Sequence, residues 1–253
     1  MNVFSYEPDR DEPATLGLIV LQSDETLETE FRQVMPLSVR LLVSRVPSGA
    51  EVSAETLQAM EHHIAAAAGL LPRGRVFDAV GYGCTSGTAQ IGPAKIARMV
   101  SEGAVATAVT EPVSALIAAC GALRVSRLAF LSPYVESVSD HLRNVLVRAG
   151  IASPVFGTFA EPQEAKVARI SERSVFDAAV QLVEGAEIDA LFLSCTNLRT
   201  FGILHPLQQR LGIPVLSSNL VLAWHMLRLA GHGTGRGMPT ALMPAAQPEA
   251  AVV

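Results

Sequence analysis

The sequence predicts an α/β protein built on mainly parallel sheets, and three observations carry that expectation. Apolar strand-like runs alternate with helix-period stretches almost from end to end. Several runs (GLIVL, LAFL, ALFL) are continuously apolar, the pattern of parallel strands covered on both faces. A coarse internal duplication then divides the chain into two similar halves. With 49% hydrophobic but only 5% aromatic residues, the core has to be built from Ala, Val, Leu and Ile, as in layered helix-on-sheet folds. A length of 253 residues suits one large domain or two lobes of roughly 100 to 130 residues each.

In chain order, LGLIVL gives a strand over 16–21, followed by a helix over 25–34. A strand over 39–46 leads to a helix over 54–68, and a strand over 77–82 to a helix over 88–102. The fourth strand is expected over 105–109 with a helix over 113–119, and the fifth, around LAFL, over 127–131 with a helix over 136–148. Strands over 155–158, 190–194 and 215–217 then precede helices over 163–185, 200–211 and 219–229. Such alternation implies right-handed crossovers and a mainly parallel sheet. No long linker interrupts it. The first 13 residues and the tail from Gly231, rich in Gly, Pro, Ala or charge, are expected to be loosely ordered.

Composition excludes several function classes. The mean hydropathy is +0.34, yet the longest apolar stretches, 115–123 and 64–71, fall far short of the ~20 residues that span a bilayer. The acidic start MNVFSYEPDRDEP lacks a basic-then-apolar leader pattern, so a soluble, cytoplasmic protein without a membrane partner is expected. A net charge of −5 without a Lys/Arg run argues against nucleic acid. Cys84, Cys120 and Cys195 are odd in number and far apart, and no CxxC occurs, which argues against structural zinc and for reduced thiols. The segment from Gly81 to Gly87 reads GxGxxxG rather than GxGxxG, and there is no Walker A, GxSxG or HExxH pattern. Neither a cofactor nor a metal is expected. His62 and His63 read as helix surface, and His225 as packing.

The duplication places the chemistry. FDAVGYGCTSGT and IDALFLSCTNLRT share one grammar: an acidic residue and Ala, an apolar strand, Cys-Thr, then a helix. Cys195 follows Cys84 by 111 residues, close to half the chain. In parallel α/β sheets ligands bind beyond the carboxyl ends of the strands, so two such lobes would set two thiols across one cleft. A Cys at a strand end before a helix meets amide N–H groups and a positive helix terminus, both expected to lower its pKa. Thr85, Ser86, Gly87 and Thr88 offer hydroxyl and amide donors suited to a carboxylate. The alternative for each cysteine is a small buried core residue. The repeated setting favours function for Cys84 and Cys195, whereas Cys120, within ALIAACGAL, reads as core.

GYGCTSGT and SCTNLRT resemble the two cysteine motifs of the aspartate/glutamate racemase superfamily, with matching spacing. LQSDETLE (21–28) resembles the N-terminal segment of the maleate cis-trans isomerase branch, where Asn is usual at the place of Asp24. LAFLSPYVESV resembles the segment bearing a substrate-contacting tyrosine, here Tyr134, and IPVLSSNLVLAWHMLRLAG the segment after the second cysteine. The resemblance covers roughly residues 16 to 231 and extends to members associated with ectoine utilisation. It implies two pseudo-symmetric Rossmann-like lobes with mainly parallel four-stranded sheets and the active site in the cleft between them. The first lobe would comprise residues 14–110 plus 217–253, the second 111–216.

The resemblance also implies a cofactor-independent isomerase of a small carboxylate, with Cys84 as nucleophile and Cys195 as acid/base partner, by thiolate addition or proton transfer. Asp24, Thr85, Ser86, Tyr134, Glu164, Thr196 and Asn197 would contact substrate. Arylmalonate decarboxylases keep only the second cysteine, and amino-acid racemases commonly have His where Asn197 stands; both activities are thereby disfavoured. A single-cysteine lyase or a non-catalytic carboxylate-binding protein remains the alternative. Asp24, and Glu164 near the place of a second family asparagine, would repel a dianion and point to a less anionic substrate, unless both face elsewhere. A homodimer or homotetramer is expected from the base rates of such folds.

Overall fold

A computed structural model describes residues 1–8, 13–233 and 242. Two four-stranded, all-parallel sheets form its frame. The first contains β1 (Ala14–Leu21), β2 (Val39–Val46), β3 (Ala79–Gly83) and β4 (Val109–Thr110), in the order β2-β1-β3-β4. The second contains β5 (Arg127–Ser132), β6 (Ala152–Thr158), β7 (Ala190–Leu193) and β8 (Val215–Ser217), in the order β6-β5-β7-β8. The two orders are identical once the numbering is shifted by four, so the duplicated grammar is a duplicated topology. Its acidic member has a structural task in each half. Asp78 accepts from the Thr15 N–H at 2.7 Å, and Asp189 accepts from the Ser126 and Arg127 N–H groups at 2.8 Å. Each carboxylate thereby pins the start of the neighbouring central strand. Thr15 and Ser126 lie at the same 111-residue interval as the two cysteines.

All eight expected strands are present. The fourth is shorter than expected, because only the Phe77–Ala106 bridge pairs its early part. Three expected helices are each divided in two. The segment 54–68 becomes α2 (Ala54–Ala59) and α3 (Glu61–Ala68), broken at Met60. The segment 88–102 begins earlier, as α4 (Thr85–Ile91), and resumes as α5 (Pro93–Gly103). Gly92 between them has φ 95°, a left-handed turn that L side chains resist, and Pro93 restarts the helix. The segment 163–185 becomes α8 (Glu164–Val167) and α9 (Glu172–Val183). The other helices are α1 (Leu27–Val34), α6 (Pro112–Leu123), α7 (Glu136–Arg148), α10 (Phe201–Leu211) and α11 (Ser218–Leu229). Among the described residues no helix is long and apolar enough to cross a membrane.

The core is aliphatic, as the composition requires. Leu16, Leu18, Ile19 and Val20 of β1 and Leu191, Phe192 and Leu193 of β7 are fully buried. Helix α11 is buried almost all round, from Ser218 to Trp224 and again at Met226 and Leu227, which marks an interior helix rather than a surface one. It packs against β3 and β4 of the first sheet, β8 of the second, and α1 and α6. Residues 1–8 form no element and are exposed. The remaining expectation of loose order, for residues 9–12 and most of the tail beyond 233, lies outside the described residues.

Polar groups close the seam between the sheets. Glu30 of α1 is 4% exposed and accepts hydrogen bonds from the Thr200 N–H (2.6 Å), the Phe201 N–H (2.9 Å) and the Asn219 side-chain amide (2.7 Å). It thus satisfies amides at the start of α10 that would otherwise be left without partners. Burial pushes its carboxyl up to about 7 against these donors. The folded chain therefore holds a proton on Glu30 from about pH 4.5, where the unfolded chain releases it, up to about 7. This contribution to stability is complete below that window and is lost as pH rises through it. The loss reaches roughly 3 kcal/mol at most. Urea midpoints of the wild type should therefore fall more steeply between about pH 5 and 8 than those of Glu30→Gln; parallel profiles would contradict the assignment.

Candidate active site

Both cysteine turns project from the carboxyl ends of central strands, as the sequence led us to expect. Cys84 follows β3 and caps α4: its Sγ accepts from the Gly87 N–H at 3.2 Å, and its carbonyl accepts from the Thr88 hydroxyl at 2.6 Å. Residue 87 has to be Gly, because a Cβ there would lie 2.8 Å from both the Cys84 Sγ and the Met60 methyl. Cys195 follows β7 with φ 105°, a conformation rare outside glycine that costs about 1–3 kcal/mol and persists only where its surroundings enforce it. Here the Cys195 N–H donates to Ser218 Oγ at 3.0 Å, and Sγ accepts from the Asn197 N–H at 3.2 Å.

Two links join the turns directly. The Thr85 hydroxyl donates to Ser218 Oγ at 2.8 Å, so one serine oxygen holds both the residue after Cys84 and the main chain of Cys195. The Thr196 hydroxyl donates to the Gly83 carbonyl at 3.3 Å. Tyr134, on the turn after β5, lies 2.9 Å from Cys195 Sγ through its hydroxyl, which also donates to Glu164 Oε1 at 2.8 Å. Glu164 Oε2 accepts from the Asn197 side-chain amide at 2.9 Å, and Asn197 Oδ1 accepts from the Glu25 N–H at 2.9 Å. Asp24 accepts from the Thr26 and Leu27 N–H groups through Oδ1, each at 2.8 Å, while its buried Oδ2 has no hydrogen-bond partner. Cys84, Thr85, Ser86, Asp24, Tyr134, Glu164, Cys195, Thr196 and Asn197, all selected from sequence, are buried around these turns. Ser86 differs from the others in lining a cleft of about 300 Å³ that Val52, Glu55, Gln90, Val135 and His141 also line.

Sequence reasoning missed Ser218, Asn219 and Glu30. The signal for the first two was present: Ser217-Ser218-Asn219 is a polar trio between a buried strand and an apolar helix, and buried polar groups need partners. Cys120 is core, 1% exposed. His62 and His63 are exposed, and His225 stacks on Trp224 while its Nδ1 meets the Thr110 hydroxyl at 2.7 Å.

The expected lowering of thiol pKa does not occur. Burial pushes Cys84 up to about 12, with the Glu164 and Asp24 carboxylates adding to the rise; the Gly87 N–H and the Tyr82 hydroxyl only oppose it. Cys195 is held well above the usual thiol range by burial and by the same two carboxylates, against the Tyr134 hydroxyl and the Asn197 N–H. The error was to weigh one amide and a two-turn helix without the desolvation of the sulfur. Asp24 and Glu164 are themselves raised by burial. For Asp24 the Leu27 and Thr26 N–H groups, then the Thr196 hydroxyl and the Arg45 charge, oppose that rise. At rest, both thiols therefore carry their protons.

An α/β frame of this topology with paired strand-end cysteines defines a class within the racemase-like folds, and comparison with known proteins places the chain further. The model of the arylmalonate decarboxylase (Amdase) family matches residues 18–241, and the chain belongs to that family. It is 30% identical to the arylmalonate decarboxylase of Bordetella bronchiseptica over 113 residues, a match spanning 44% of this chain and only 47% of that protein. It is 26% identical over 246 residues to the maleate isomerase of Nocardia farcinica, covering 87% of this chain and 94% of the relative. Its fold matches that of a cysteine-to-alanine variant of the maleate isomerase Iso from Pseudomonas putida S16, solved with maleate. The TM-score is 0.81 at 20% identity, over 92% of this chain and 99% of the other.

Asn197 ties three segments together, and its removal strands a buried carboxylate oxygen and the Glu25 N–H. Asn197→Ala should cost about 3 kcal/mol, read as a lowered thermal midpoint; a midpoint within about a degree of wild type would show that the seam does not depend on it.

Proposed function

We propose that the chain is a cofactor-independent isomerase of a small unsaturated carboxylate, acting through Cys84 and Cys195. The observation that carries this reading is the Ser218 hydroxyl, which takes hydrogen bonds from both cysteine turns and holds them to one seam. The full-length likeness to a maleate isomerase supports it.

The two thiols have different neighbours and are given different tasks. Cys84 has the Gly87 N–H and the nearby Tyr82 phenol to steady a thiolate, so it is the nucleophile. Cys195, kept neutral beside Tyr134, is suited to deliver a proton. On binding, Cys84 passes its proton to one of the buried carboxylates, Asp24 or Glu164, and its sulfur adds to one alkene carbon. The π pair moves to the neighbouring carbon, next to the substrate carboxylate, and that carbon takes the S–H proton of Cys195. The former double bond, now single, rotates. Cys195 then removes the same proton, the double bond re-forms, the C–S bond breaks, and the carboxyl returns its proton to Cys84. Every atom is restored and only the geometry has changed. At rest the Cys195 S–H donates to the Tyr134 oxygen while the phenol donates to Glu164; after the proton leaves, the phenol O–H is the donor that turns to the sulfur.

A decarboxylase is the second reading, favoured by the family model and the 30% identical segment. There Cys195 would protonate the carbon freed of CO₂, and Cys84 would be idle. Proton NMR in D₂O with maleate and amino-bearing unsaturated carboxylates separates the readings. The isomerase reading expects cis-to-trans conversion without loss of carbon, and a rate loss of about 10²–10⁴-fold in both Cys84→Ser and Cys195→Ser. A product one carbon shorter, with Cys84→Ser unaffected, favours the decarboxylase. Conversion that survives both replacements sinks either one.

A further inference from the structure

We propose that the protein pairs with a second copy of itself by exchanging arms, residues 1–8 of each copy lying in a groove at the amino end of the other's first sheet. The groove walls include Leu71 and Phe77, which precede β3, whereas Cys84 follows it. The surface therefore lies at the opposite end of that sheet from the thiols, and the inference is independent of how they are read.

The arm carries apolar side chains that its own chain does not cover. Phe4 and Tyr6 are 82% and 88% exposed, and Val3 beside them is exposed as well. Single exposed apolar residues are ordinary, but two aromatic rings and a Val on one short segment form a surface suited to burial against a partner. The fold has a matching deficit where the arm joins it. Leu70, Val76 and Val105 are 62–75% exposed. Val76 and Val105 directly precede the two residues of the Phe77–Ala106 bridge, so they stand side by side. A Cβ on Gly103 would meet the Gly69 nitrogen at 2.6 Å, so the ends of α3 and α5 touch and bring Leu70 to the same place. Between them runs a groove of about 440 Å³.

Charge, length and area suit the two surfaces to each other. Residues 7–12, EPDRDE, hold four acids and one Arg, whereas the turn that walls the groove carries Arg73 and Arg75. Of the acids on the described walls, Asp78 is committed to the Thr15 N–H, and Glu102 is the other. Pro13 and Ala14, at the root of the arm, line the neighbouring cavity together with the same turn. Two copies that meet there bring each root close to the other's groove. From Phe4 to Pro13 the chain reaches roughly 30 Å when extended, ample for the crossing. A contact made once is made again about a two-fold axis, which closes the assembly as a dimer. The aromatic rings of two exchanged arms would bury roughly 600–1,000 Å². With the groove surface that they cover, the total reaches the ~1,200–2,000 Å² of a stable interface.

Sedimentation equilibrium of the full chain at micromolar concentration tests this. The mass should be twice the 26.7 kDa of one chain. The double variant Phe4→Ser/Tyr6→Ser alters only exposed side chains, so its fold is not at stake. It should weaken the dimer by roughly 100-fold or more, because buried aromatic anchors carry most of an interface's affinity. Arg73→Glu/Arg75→Glu should weaken it by about tenfold or more from the groove side. A synthetic peptide of residues 1–12, added to the Phe4→Ser/Tyr6→Ser chain, should slow amide hydrogen exchange at 69–76 and 103–106. A monomeric full chain, an oligomer that neither double variant weakens, or peptide protection confined to other segments overturns the proposal.

Discussion

Where the two sheets meet, polar groups have left water and must find their partners across the seam. Glu30 reaches from α1 to the start of α10 and to Asn219, and Asn197 reaches from the turn after β7 to Glu25 and Glu164. The Ser218 oxygen takes the Thr85 hydroxyl and the Cys195 amide together. Each bond has a modest net worth, but each buried group left without a partner costs about 1–3 kcal/mol. The seam is therefore specified as a set: shifting one turn would strand several groups at once. The position of the thiols follows from this requirement, because both cysteines sit on the turns that it fixes.

The same burial governs the chemistry. Desolvation outweighs the local amides at both sulfurs, and the two carboxyl groups push in the same direction. A resting site with protonated thiols is slow, but not inert, towards alkylating agents, since the thiolate is the reactive form. On the proposed reading, the ligand has to change this electrostatic balance before a thiol reacts. The strained φ of Cys195 fits this picture, since an enforced backbone conformation aims the sulfur at Tyr134 and not into the core.

Much of this was legible in the sequence, for identifiable reasons. Apolar runs reported the strands, continuously so in β1, β5 and β7, because a parallel strand covered on both faces has nowhere to put a polar residue. The duplicated Asp-Ala-strand-Cys-Thr grammar reported the duplicated topology, with Asp78 and Asp189 each pinning the next strand's first amides. The Gly92-Pro93 break was visible in principle but was read through as a continuous helix. Glu30 was not visible, because its partner Thr200 lies 170 residues away and leaves no period in the sequence, and the polar trio around Ser218 did not reveal its partner Thr85, 133 residues away. The direction of the thiol shifts was misread for the same reason: a helix cap is local, whereas burial is a property of the whole fold.

The central claim is that Cys84 and Cys195 open onto one small space. The most direct measurement is cross-linking of the intact protein with 1,3-dichloroacetone, whose three-carbon bridge spans about 5 Å or less between sulfurs, followed by peptide mass spectrometry. The account predicts a single bridge joining the Cys84 and Cys195 peptides, with Cys120 unmodified in the core. Separate single adducts on the two cysteines, or a bridge to Cys120, would contradict it.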